Sequence, residues 1–115
     1  METVTYLKDG VLILEPSGKI IGEAIPKLRQ ILLKYVDTTQ TPSILINFAR
    51  VHKMDSAGLG VFITAYNMAR AKGGRIGIIN VDKHIKNLIV RSRLIRIFER
   101  FDSEEASLSA LSESI

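Results

Sequence analysis

Two short apolar runs, Ile44-Leu45-Ile46-Asn47-Phe48 and Arg75 to Asn80 (RIGIIN), limit the possible folds more than any other feature. Each is bounded by turn residues and is shorter than a typical helix. Each also lacks the strict alternation of a half-exposed strand, so both read as strands covered on both faces. Between them, Leu59, Phe62, Ile63, Tyr66 and Ala69 recur at helical spacing, and Lys72-Gly73-Gly74 supplies a helix stop. Strand, helix and strand in that order predict a right-handed crossover between parallel strands.

The flanking segments extend this unit. Thr3 to Lys8 and Val11 to Leu14 are β-prone runs separated by Asp9-Gly10, a two-residue hairpin signal. Glu15-Pro16-Ser17-Gly18 is expected to end the second strand. From Glu23 onward, Leu28, Ile31, Leu32 and Tyr35 predict a helix with Pro26 in its first turn, followed by a polar loop from Asp37 to Pro42. Asp82 can cap a third helix that carries Ile85, Leu88 and Ile89. Ile97-Phe98 reads as a brief last strand, and Ser103-Glu104-Glu105 opens a C-terminal helix with Ala106, Leu108 and Leu111. The expectation is one α/β domain over residues 1–115: an N-terminal β-hairpin leading into a mixed, mainly parallel sheet packed with about four α-helices.

Composition bounds the function. At 46% hydrophobic and 24% charged, the chain suits a globular core and not a disordered one. It has no Cys, which excludes disulfides, thiol catalysis and thiolate metal sites. No apolar run is long enough to span a bilayer, and METVTYLKDG lacks the pattern of a signal peptide, so a cytoplasmic domain without membrane association is expected. The formal charge of +4 owes much to Lys83, Lys86, Arg91, Arg93, Arg96 and Arg100. A solvated helix face explains these better than a nucleic-acid surface, and no nucleic-acid partner is expected.

The chemistry centres on Met54-Asp55-Ser56-Ala57-Gly58-Leu59-Gly60, just before the central helical pattern. Met54 stands where a hydrolase elbow needs glycine, so that fingerprint fails. The only histidines, His52 (in a loop, on this reading) and His84, complete neither a triad nor a metal cluster, so no catalytic residue, metal or cofactor is expected. No Gly-Lys-Ser/Thr follows the glycines, so no phosphate loop forms. Asp55 and Ser56 suit a helix N-cap. Gly58 and Gly60 weaken a helix by about 1 kcal/mol each relative to Ala, which points to close backbone approach by a strand or by something outside.

On a helical wheel, Val61, Thr64 and Met68 fall opposite the expected core stripe and suggest a docking face. Phosphate on a serine at this helix N-terminus would be stabilised locally by free amides and the dipole. It would add about −1.5 to −2 charge beside Val61 and Met68. A partner pressed there would bind less well, with no change of fold.

The stretch VHKMDSAGLGVFITAYNMARAKGGRIGIINV, continued by Leu94-Ile95-Arg96-Ile97-Phe98 and Asp102-Ser103-Glu104-Glu105-Ala106, resembles the STAS domain of bacterial anti-sigma factor antagonists. The resemblance implies a binding switch and no enzyme. Such a protein, when unphosphorylated, binds an anti-sigma factor serine kinase of the histidine-kinase-like ATPase type and so frees a sigma factor. The kinase then modifies the serine after the aspartate, and a PP2C-type phosphatase restores it. That serine maps onto Ser56, and Ala57 leaves it as the sole acceptor in the motif. The implied partner surface comprises Asp55, Ser56, Ala57, Gly58, Leu59, Val61, Thr64 and Met68. Gly18-Lys19-Ile20-Ile21 lacks the acidic residue that many members carry in that turn. The alternative within the same resemblance is a constitutive STAS scaffold or transport-complex subunit not regulated at Ser56.

Overall fold

The computed structural model describes residues 2–91 and 99–100. Strand β1 (Glu2–Lys8) and strand β2 (Val11–Ile20) form the expected antiparallel hairpin. Its turn residues Asp9 and Gly10 both take positive φ, 53° and 78°. Helix α1 (Ala24–Thr38) then leads to β3 (Ser43–Asn47) and β4 (Arg50–Met54), and α2 (Ser56–Ala71) to β5 (Arg75–Ile79). Helix α3 (Lys83–Arg91) precedes the short strand β6 (Glu99–Arg100). The sheet runs β1-β2-β3-β5-β6, with β4 beside β2; every pairing except the hairpin is parallel. The expected strand at Ile97-Phe98 and the expected helix from Ser103 lie outside the described residues.

Two expectations are corrected. Strand β2 does not stop at Glu15-Pro16 but runs on to Ile20. Leu12 to Leu14 pair with β3, and Ser17 to Ile20 pair with β4. Pro16 falls between these two ladders, where its missing N–H interrupts neither. The second correction is β4 itself. Its residues RVHKM bury only Val51 and Met54, with charged or polar side chains exposed between them. That spacing does not alternate, so it carries no strand signal. As a result His52 lies on a strand and not in a loop.

The core explains the apolar runs. Ile44, Leu45 and Ile46 are all fully buried, as required of a strand covered on both faces. Leu12, Leu14, Ile44, Ile46, Ile76 and Ile78 join Leu28, Leu32 and Val36 of α1 and the buried face of α2 in one cluster. Val11, Ile13, Leu45 and Ile79 form a second cluster on the other side of the sheet. No described helix is long and apolar enough to cross a membrane.

Candidate binding site at the start of α2

The site begins where β2 and β4 end together, with Ile20 paired to Met54. Met54 is buried, and the next residue leaves the sheet. Asp55 has extended backbone (φ −106°, ψ −178°), and its Oδ1 accepts the Gly58 N–H at 2.9 Å. Its carbonyl accepts the Leu59 N–H at 3.0 Å. Asp55 alone is therefore the N-cap.

Ser56 opens the helix, and both it and Ala57 are exposed. No described residue hydrogen-bonds the Ser56 hydroxyl. No acidic side chain occupies the first turn, and exposed His52 and Lys53 lie just upstream. Ser56 thus combines an accessible hydroxyl with the positive end of a helix dipole.

Gly58 and Gly60 have opposite surroundings. A Cβ on Gly58 would lie 2.8 Å from the Ile20 carbonyl oxygen, 2.9 Å from Ile20 Cγ2 and 3.0 Å from Met54 Cγ. Only glycine lets α2 start this close to the strand ends. A Cβ on Gly60 would meet nothing within 4 Å. Its backbone is open to the outside, and Thr64 Oγ1 donates to its carbonyl at 3.0 Å.

The exposed face of α2 differs from the expected one. Val61 is 1% exposed and belongs to the core, alongside Gly58, Leu59, Phe62, Ala65 and Ala69. Ile63 and Tyr66, expected inside, are only partly buried. The core stripe is rotated by roughly 60° on a 3.6-residue wheel. The physical reason is residue size. Gly58 and Ala65 join Ala69 on the inward side and let α2 pack closely, while the bulkier Ile63 and Tyr66 of the expected stripe turn partly outward. Phe62 anchors this seam, its ring edge-to-face with Phe48 at 5.5 Å.

Of the predicted surface, Asp55, Ser56, Ala57 and Thr64 are exposed and Met68 is partly so, whereas Gly58, Leu59 and Val61 are buried. The outward face instead gathers Ala57, Gly60, Ile63, Thr64 and Asn67. Gly60 was the available signal for this face, since a helical glycine with no neighbour to accommodate needs another explanation.

A second polar feature lies at the ends of β3 and β5. Asn47 Oδ1 accepts the Ala49 N–H at 3.0 Å and Asn80 Nδ2 at 2.9 Å, beside a hollow of about 250 Å³ lined by Glu15, Asn47, Ala49 and Arg50. These bonds tie the strand ends together and present no nucleophile. His84 is exposed on α3. Among the described residues, no three His, Asp or Glu side chains cluster to hold a metal.

Comparison with known proteins agrees with this fold. Residues 2–107 match the STAS domain family model. An anti-sigma F factor antagonist of Paenibacillus polymyxa is 28% identical over 102 residues, covering 89% of this chain and 87% of the relative. Among solved structures, an anti-sigma-factor antagonist (STAS) domain protein of Planctomyces limnophilus superposes with a TM-score of 0.83 at 10% identity, over 96% of this chain and 97% of that one. The anti-sigma factor antagonist SpoIIAA in its unphosphorylated form gives 0.75 at 16% identity, over 99% and 100% of the two chains. The Bacillus SpoIIAA in its phosphorylated form gives 0.75 at 18% identity, over 95% and 98%. At these identities the structures speak for the fold.

Proposed function

The chain belongs to the STAS domain family, and from that premise we propose that it is an anti-sigma factor antagonist switched by phosphorylation of Ser56. The observation that carries this reading is the separation of roles at the start of α2. Asp55 holds the cap, so the Ser56 hydroxyl is free of structural duty and exposed. The kinship with the Paenibacillus antagonist supports the partner class.

In the unphosphorylated form, the outward face of α2 binds an anti-sigma factor serine kinase, and the sigma factor is released. Ser56, Ala57, Gly60, Ile63, Thr64 and Asn67 form this surface, with Met68 at its margin; Gly58, Leu59 and Val61 support it from within. The kinase, a histidine-kinase-like ATPase, brings the nucleotide and metal, and a PP2C-type phosphatase reverses the modification. A phosphate on Ser56 would gain from the helix dipole and free amides, leaving the fold intact. A partner closing over it would have to desolvate about −1.5 to −2 charge, which weakens binding.

The test is incubation with the cognate kinase and ATP, followed by mass spectrometry. One phosphate on Ser56, lost in Ser56→Ala, is expected. A chain that binds its partner yet is never modified would be a constitutive scaffold or transport-complex subunit instead.

A further inference from the structure

The large hydrophobic side chains exposed among the described residues, Val4 (54%), Tyr6 (38%) and Leu7 (67%), all lie on one strand, β1. That strand ends the sheet, and among the described residues it pairs only with β2. Native edge strands are usually guarded by a central charge, a proline or a bulge. Between Glu2 and Lys8, β1 reads Thr-Val-Thr-Tyr-Leu and has none of these.

The hairpin register fixes which backbone groups face outward. Lys8 and Val11 close a two-residue turn and so form a hydrogen-bonded pair. Alternation then directs the N–H and C=O groups of Glu2, Val4, Tyr6 and Lys8 toward β2, and those of Thr3, Thr5 and Leu7 away from it. Pro16 provides an independent check. It stands opposite Thr3 and has no N–H, as a non-hydrogen-bonded position requires.

We propose that this chain dimerises through β1, two copies pairing antiparallel about a two-fold axis at Thr5 to give one continuous sheet. The strand is self-complementary in that register. Glu2 of each copy stands opposite Lys8 of the other, Val4 opposite Tyr6, Thr3 opposite Leu7, and Thr5 opposite Thr5. The outward groups of Thr3, Thr5 and Leu7 supply about six hydrogen bonds across the axis. Opposite charges and an aromatic paired with a β-branched residue are favourable cross-strand partners, and both recur twice by symmetry. On the face toward α1, the groove lined by Thr5, Leu12, Ile31 and Tyr35 lies next to Leu7, which the second copy would cover. The α2 site lies beyond β2 from this edge, so each dimer displays two copies of it.

Sedimentation equilibrium of the full chain tests the proposal. The parent should show a reversible monomer–dimer equilibrium. Glu2→Lys and Lys8→Glu each place like charges opposite one another and should weaken the dimer roughly tenfold. An equimolar mixture of these two variants should recover association, because the heterodimer pairs opposite charges at both ends. Thr5→Pro removes an outward donor without touching the β1–β2 ladder, and should give a folded monomer. A parent that stays monomeric up to millimolar concentration would overturn the proposal. So would a dimer indifferent to the charge variants, or failure of the mixture to associate better than either variant alone.

Discussion

The Asp55 carboxylate accepts the Gly58 amide at 2.9 Å, bridging over Ser56 and Ala57, so α2 is capped by Asp55 and the neighbouring Ser56 stays exposed. Asp55→Ala removes that acceptor and should destabilise the fold by about 1 kcal/mol. Asp55→Asn keeps an acceptor and should restore most of the loss. Urea unfolding of both variants measures the difference.

The two glycines of the first turn should respond in opposite directions. Gly58→Ala puts a Cβ 2.8 Å from a backbone carbonyl oxygen that moves only with its strand. It should destabilise by about 1–3 kcal/mol. Gly60→Ala adds a methyl group into open space and should stabilise the helix by up to about 1 kcal/mol. The same methyl stands on the proposed partner surface, so Gly60→Ala should weaken partner binding while raising the thermal midpoint.

Rotation of α2 gives a second pair of contrasts. Val61 is buried and Ile63 partly exposed, the reverse of the order that their bulk suggests. Val61→Asn buries a polar group and should lower stability by roughly 2–4 kcal/mol. Ile63→Asn should cost under about 1 kcal/mol yet reduce partner affinity. Circular dichroism melts beside partner titrations separate the two effects.

These contrasts show what was legible in the sequence. Asp9-Gly10 marked the hairpin because few residues tolerate two successive positive φ values. The runs around Ile44 and Arg75 marked buried strands because nothing polar interrupted them. The Asp-Ser-Ala-Gly-Leu-Gly motif marked a strand-to-helix junction, which falls between β4 and α2. Strand β4 was hidden because it buries only its second and last residues, Val51 and Met54. The continuation of β2 was hidden because Pro16 sits at a change of neighbour that only the assembled sheet reveals. The facing of α2 was hidden because bulk marks Ile63 and Tyr66 as core, whereas close approach buries the small residues Gly58 and Ala65.

Lys72 joins the ends of the two larger helices. Its ammonium donates to the carbonyl oxygens of Val36 (2.8 Å), Asp37 (2.7 Å) and Thr39 (3.2 Å), at a helix end with no basic residue of its own. Lys72→Met keeps the stem and removes the donors, and should destabilise by about 1–2 kcal/mol. The loss should persist in moderate salt, because three fixed hydrogen bonds are screened less than a distant charge pair. Denaturant unfolding at two ionic strengths tests both statements.

The most direct test of the switch is calorimetric titration of the cognate anti-sigma kinase into three forms of the chain: unmodified, phosphorylated at Ser56, and Ser56→Ala. The unmodified and alanine forms should bind alike. The phosphorylated form should bind at least about tenfold more weakly, with an unchanged circular dichroism spectrum. Equal affinity for the phosphorylated and unmodified forms would contradict the account.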